Sequence, residues 1–167
     1  MLIVAGHETT VNLITNMTLA LLEHPVQLQK LRQNSDLIDL AIEEALRFYS
    51  PVELTTLRWT AETFTMHGQD IQSKDRIIIS LASFNRDEKI FPNADVFDIT
   101  RKNNRHIAFG HGSHFCLGAS LARLEAKIAI SSLLQHIPNI QMQGEREQVR
   151  WKENYLMRSL EELPLKF

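Results

Sequence analysis

Apolar residues recur through the first third of the chain every three or four positions, which is the spacing of helices. From Leu2 to Leu22, the residues Leu2, Ile3, Val4, Val11, Leu13, Ile14, Met17, Leu19, Leu21 and Leu22 take up nearly the whole helical wheel. A helix there is expected to be buried on all sides. Pro25 opens a second helix running to about Gln33, where its missing N–H costs nothing in the first turn. Asn34, Ser35 and Asp36 form a break. A third helix is predicted from Leu37 to Phe48, with Leu37, Ile38, Ala41, Ala45 and Phe48 on one stripe; Ser50-Pro51 ends it, because a residue before proline avoids the helical region.

Between Leu54 and Leu81 the period shortens. Leu54 to Trp59, Thr63 to Met66 and Arg76 to Leu81 are predicted strands of a small antiparallel sheet, divided by turns at His67-Gly68 and Ser73-Lys74-Asp75. A loop-rich stretch from Asn85 to Gly118 follows. Helical spacing resumes from Leu117 to His136 with Leu121, Leu124, Ile128, Leu133 and Leu134, and Pro138 closes it. Ile140 to Met142 and Val149 to Trp151 are candidate strands of a terminal hairpin that includes the segment Leu156 to Phe167. The fold class is mainly α with small antiparallel β-sheets, in one domain over residues 1–167.

Composition narrows the function more than the fold. With 44 % hydrophobic and 23 % charged residues the chain is ordinary globular material. A formal net charge of −2 provides no basic surface for nucleic acid. No uncharged stretch reaches the roughly 20 apolar residues that span a bilayer, so no membrane segment is expected. The N-terminus lacks the charged start of a signal peptide. A single cysteine forbids an internal disulfide and suits a reducing, cytoplasmic setting.

That cysteine lies in the densest chemistry of the chain, Phe109-Gly110-His111-Gly112-Ser113-His114-Phe115-Cys116-Leu117-Gly118. The loop is predicted to deliver Cys116 to the first turn of a helix, where free amides and the helix dipole favour a thiolate. Gly110, Gly112 and Gly118 remove side chains where backbone must approach something flat and large. A zinc or copper site from His106, His111, His114 and Cys116 is one alternative, although no second cysteine or distant ligand pair completes it. A Cys–His nucleophile using His114 is another, and sequence neighbours rarely have the geometry for it.

This loop resembles the signature of the cytochrome P450 family: a phenylalanine, two spaced glycines, a basic residue two before the cysteine and a glycine two after it. The resemblance implies that Cys116 is the axial thiolate of a haem b iron (iron protoporphyrin IX), that His114 contacts a haem propionate, that Phe109 packs beside the ligand loop, and that Gly118 belongs to the cofactor site. Three further motifs follow in family order. Ala5-Gly6-His7-Glu8-Thr9-Thr10 resembles the oxygen-binding helix, with Glu8 and Thr9 as the acid–alcohol pair that delivers protons. From the residues alone, Thr9 and Thr10 bonding back to helix carbonyls with Glu8 in solvent is an equal reading.

Glu44 and Arg47 share a helix face and resemble the family's structural Glu-x-x-Arg pair; in isolation such a pair is usually a solvated one. Relatives complete it with an arginine where this sequence has Val96, which leaves Arg101 and His106 as substitutes. Arg58 matches a propionate-binding arginine. Val52, Leu54, Thr55 and Thr56, with Leu156 and Met157, match substrate-lining segments and suggest a mainly apolar substrate.

The resemblance is to soluble bacterial, Bacillus-like members and implies a monooxygenase that hydroxylates a small molecule, such as a polyketide or fatty-acyl compound, with O2. Electrons would come from a ferredoxin or flavodoxin-type donor, for which Arg101, Lys102, Arg105, Arg123 and Lys127 form a candidate basic patch. Family members are more than twice as long. The chain is therefore expected to be the C-terminal half of the fold, without the N-terminal helices, needing a separate N-terminal part for turnover. The competing expectation is a haem-binding or interaction module, or an inactive gene remnant.

Overall fold

A computed structural model describes residues 2–167, with side chains described from Ala5 onward. The apolar positions expected at Leu2, Ile3 and Val4 lie outside the described side chains. Three helices form the core: α1 (Leu2–Glu23), α3 (Ile38–Phe48) and α5 (Ala119–His136), which pack on one another. The short α2 (Pro25–Gln33) folds back against α1, and Asn34 turns the chain into α3 by accepting the Asp36 amide on its side chain, 3.1 Å away. α3 buries Ile38, Ala41, Ile42, Ala45 and Leu46, the three-four spacing that presents one apolar face.

α1 is not buried all round. Leu13, Met17, Leu19, Ala20 and Leu21 are buried, but Val11 is half exposed and the first described turn, Ala5 to Glu8, faces outward. α5 departs further from expectation. Its core face is Ala119, Ala126 and Ile130, whereas Leu117, Leu121, Leu124 and Ile128, spaced four, three and four residues apart, lie on the exposed side. Of the apolar residues that set the helical spacing, Leu134 packs on the core, while Ala126 and Ile130 supply its fully buried contacts.

The β structure is sparser than predicted. β1 (Arg58–Trp59) pairs antiparallel with β4 (Arg76–Ile77), and β2 (Phe64–Met66) pairs with β3 (Gln69–Ile71) across the His67-Gly68 turn. These are two ribbons rather than one sheet. The strand expected to continue to Leu81 ends at Ile77; Ser80 keeps only an isolated bridge to Leu54 and caps a helical turn, α4 (Leu81–Phe84), its hydroxyl accepting the Ser83 amide at 3.1 Å. At the end of the chain β5 (Gln141–Met142) pairs with β6 (Leu165–Lys166). Val149 to Trp151 makes only an isolated bridge, Trp151 to Leu160.

Candidate haem-thiolate site

α5 begins at Ala119, so Cys116 precedes the helix instead of sitting in its first turn. The loop is held by its own backbone. The Ile107 carbonyl accepts the Gly110 amide at 2.8 Å, and the Phe109 carbonyl accepts the Cys116 amide at 2.9 Å. Gly110 and Gly112 adopt φ of +74° and +73°, a region that only glycine enters without strain. A single 3-10 turn over Gly112–His114 completes the reversal. Cys116 is exposed, flanked by Phe115 at 53 % and Leu117 at 93 % exposure. His114 is exposed beside it, and a Cβ on Gly118 would come to 4.0 Å from the Cys116 sulfur.

Below this loop is a buried charge network. Glu44 and Arg47 are almost wholly buried and form a bidentate pair, with Arg47 Nε and Nη2 each donating at 2.8 Å. Arg47 also donates to the carbonyls of Asn85, Ala94 and Val96 at 2.9, 2.7 and 3.1 Å. Glu44 accepts in addition from Arg101 Nε at 3.1 Å, Asn104 at 3.0 Å and the Asp98 amide at 2.9 Å. Arg101 is thus the second guanidinium of the cluster, and its Nη2 reaches the Val96 carbonyl at 3.2 Å. Val96 contributes to the cluster through its backbone carbonyl.

His106 has a different partner. Its Nδ1 accepts the Ala108 amide at 3.2 Å, which places the ring hydrogen on Nε2, 3.1 Å from Glu43. Arg123 of α5 donates to the same carboxylate at 2.6 and 2.9 Å. Burial pushes the Glu43 carboxyl up, but the hydrogen bonds from Arg123 and His106 and the charge of Arg123 outweigh it and hold the group at about 2, against 4.5 ordinarily. A group depressed in the folded state contributes stability that is fully present above about pH 4.5 and lost as pH falls towards about 2. Its partial exposure limits this to about 1–2 kcal/mol. Urea unfolding at about pH 6 and about pH 3 should show Glu43→Gln losing less stability across that interval than the parent.

The expected basic patch is largely engaged internally. Arg101 joins Glu44, Arg123 joins Glu43, and Lys127 pairs with Asp39 at 2.9 Å; Lys102 and Arg105 make no ion pair among the described residues. On α1, the Thr9 hydroxyl donates to the Ala5 carbonyl at 2.8 Å and that of Thr10 to Gly6 at 2.9 Å, with Glu8 exposed. Arg58 is exposed and donates to the Thr56 hydroxyl at 2.6 Å. The two segments matched to a substrate lining are neighbours: Val52 bridges Met157, Leu54 bridges Ser80, and the Leu156 carbonyl accepts the Glu53 amide at 2.9 Å. Thr55 lies next to them, receiving the Ile79 amide on its hydroxyl at 3.0 Å.

Residues unremarked in the sequence complete the site. Asn85 is fully buried; its Nδ2 donates to Ser50 Oγ at 2.8 Å and its Oδ1 accepts the Ile107 amide at 2.9 Å, fastening the base of the cysteine loop to the end of α3. Only its position between two turn-rich stretches could have marked it.

The fold is helical and presents one exposed thiol on a glycine-turned loop, fastened through Asn85 to a buried glutamate–arginine cluster. The sequence model of the family "Cytochrome P450" matches residues 1–159, and the chain belongs to that family. It is 75 % identical over its whole length to a cytochrome P450 of Bacillus subtilis (strain 168), of which it covers 41 %. It is 50 % identical to the biotin biosynthesis cytochrome P450 of the same organism, again over the whole chain and 42 % of the relative. The structure of P450BioI with an acyl carrier protein ligated to hexadec-9Z-enoic acid superposes with a TM-score of 0.92 at 52 % identity, over 98 % of this chain and 42 % of that one. The Bacillus subtilis 168 bacillaene polyketide synthase P450 PksS gives 0.95 at 46 % identity, over 99 % and 42 %. The chain therefore spans about two fifths of the length of the relatives it matches.

The residues present fit a haem. Among the described residues no three His, Cys, Asp or Glu side chains converge as a metal-holding group, so a zinc or copper site made of protein alone lacks a donor set. A solitary exposed thiol suits a metal whose other ligands belong to a macrocycle, and the exposed Phe115 and Leu117 beside it suit a large apolar face. Among the described residues no helix is long and apolar enough to cross a membrane.

Proposed function

We propose that this chain provides the haem-binding part of a cytoplasmic P450 monooxygenase acting on a mainly apolar small molecule, of fatty-acyl or polyketide type. The observation that carries the reading is Cys116: an exposed thiol on a backbone-locked glycine loop between two exposed apolar side chains. When bound, haem b supplies the dioxygen and one-electron chemistry. Cys116 would be its thiolate ligand, with Phe109 and Gly118 lining the loop and His114 and Arg58 as hydrogen-bond donors to its propionates. Glu8 and Thr9 would hold and pass protons, the Thr9 hydroxyl being oriented by the Ala5 carbonyl.

The fatty-acyl and polyketide classes are supported by the acyl-carrier complex of P450BioI and by the polyketide synthase assignment of PksS, both close in structure to this chain. Val52, Leu54, Thr55, Leu156 and Met157 would contribute its apolar wall. Electrons would come from a ferredoxin or flavodoxin-type donor, with Lys102 and Arg105 as the charges left for an acidic partner. The exposed Leu117, Leu121, Leu124 and Ile128 stripe, together with the relatives' greater length, supports a covering by the remaining part of a P450 fold.

The test is the carbon-monoxide difference spectrum of the reduced, haem-reconstituted chain beside Cys116→Ala. A thiolate-type band present in the parent and absent in the variant is the expected result. A folded, soluble parent without that band would overturn the reading of Cys116 as ligand.

A further inference from the structure

Three separate parts of the chain meet at Glu43. It belongs to α3, His106 to the long loop and Arg123 to α5, and the carboxylate accepts hydrogen bonds from both partners. Arg123 does something more than pair. Its guanidinium carbon lies 4.5 Å from the centroid of the Phe109 ring, so the charged plane and the aromatic face are in contact. The His106 ring centroid lies 6.3 Å from that of Phe109, which also packs against the hydrophobic core. The Phe109 carbonyl is the acceptor of the Cys116 amide at 2.9 Å.

We propose that Arg123, clamped by Glu43 and His106, is a positioning residue for the cysteine loop: it pins the Phe109 ring and thereby the carbonyl that anchors Cys116. A guanidinium is required for this because one planar group must present two N–H groups to the carboxylate and its face to the ring, which an ammonium cannot do. Glu43 sets the direction of the fork, and His106, only 3 % exposed in its side chain, sets that of Glu43. The relevance to a metal rests on the proposed reading of Cys116 as ligand; the holding of the loop does not.

The experiment is amide hydrogen exchange on the whole chain, comparing the parent with Arg123→Met, Arg123→Lys and Glu43→Gln. Exchange at Cys116 is expected to rise roughly tenfold in Arg123→Met, while amides inside α3 such as Leu46 stay within about twofold. Arg123→Lys should restore only a minor part of the protection. Unchanged exchange at Cys116 in Arg123→Met would overturn the proposal and leave Arg123 a surface ion pair. If Arg123→Met unfolds and every amide exchanges alike, Glu43→Gln decides: a rise confined to the loop supports the clamp, a uniform rise or none overturns it. The same proteins reconstituted with haem separate the two readings. A selective exchange effect without a thiolate-type spectrum in the parent would leave the clamp standing and remove the haem reading; a normal spectrum without the exchange effect would do the reverse.

Discussion

Arg47→Met should unfold the chain or lower its stability by about 3–5 kcal/mol, the range for breaking a buried ion pair by removing one partner. The side chain is buried and forms two bonds to Glu44 and three to backbone carbonyls at Asn85, Ala94 and Val96. Methionine fills similar space but donates to none of these acceptors. Arg101 would still partly neutralise Glu44 and still donate to the Val96 carbonyl, so the dominant loss is the Asn85 and Ala94 carbonyls left buried without a donor. Arg47→Lys is expected to recover little, since one ammonium cannot address five acceptors spread around a plane. Denaturant unfolding followed by far-ultraviolet circular dichroism measures this; an Arg47→Met chain as stable as the parent would show that the carbonyls find other donors.

Phe97→Ala is expected to cost about 3–5 kcal/mol through the cavity it leaves. The ring is 1 % exposed, with its centroid 5.2 Å from that of Phe48 and 5.1 Å from that of His24, so it joins α3 to the turn between α1 and α2. Phe97 also directly follows Val96, whose carbonyl receives both Arg47 and Arg101. Its loss therefore loosens the acceptors of the charge cluster as well as the core. A double-mutant cycle of Phe97→Ala with Arg101→Met, read from unfolding midpoints, should show a coupling of roughly 0.5–3 kcal/mol. Additive losses would mean that ring and cluster stabilise the loop separately.

These two predictions concern residues of very different legibility. The Glu44–Arg47 spacing was visible on one helix face, yet from sequence alone the same spacing describes a solvated pair. What buries it is the loop from Asn85 to Arg101, which returns over α3 from some forty residues away and brings Phe91, Phe97 and Ile99 into the interior. Arg101 and His106 were equal candidates for the second cation, and only the path of that loop separates them. Asn85, Asn104 and Glu43 carried no pattern at all, because a buried polar residue is recognised by its partners and these are distant in the chain.

The helices α1, α2 and α3 were readable within a residue or two, since their periodicity, Pro25 and Ser50-Pro51 are local signals. The cysteine loop was readable because its glycines, phenylalanine and cysteine stand in one ten-residue run. The strands were not: pairings two or three residues long contain too little alternation to register, and their partners are chosen by non-local contact. Periodicity showed that α5 is a helix, but not which of its residues lie inward.

By itself, then, the sequence determined the family and the helical class, because the motifs and the periodicity that mark them lie in neighbouring residues. The tertiary structure alone decided that Glu44 is buried between two arginines, that Arg123 pairs with Glu43 and lies over Phe109, and that Leu121, Leu124 and Ile128 of α5 face outward. Burial and partnership depend on which distant segments pack together, a property no local window contains.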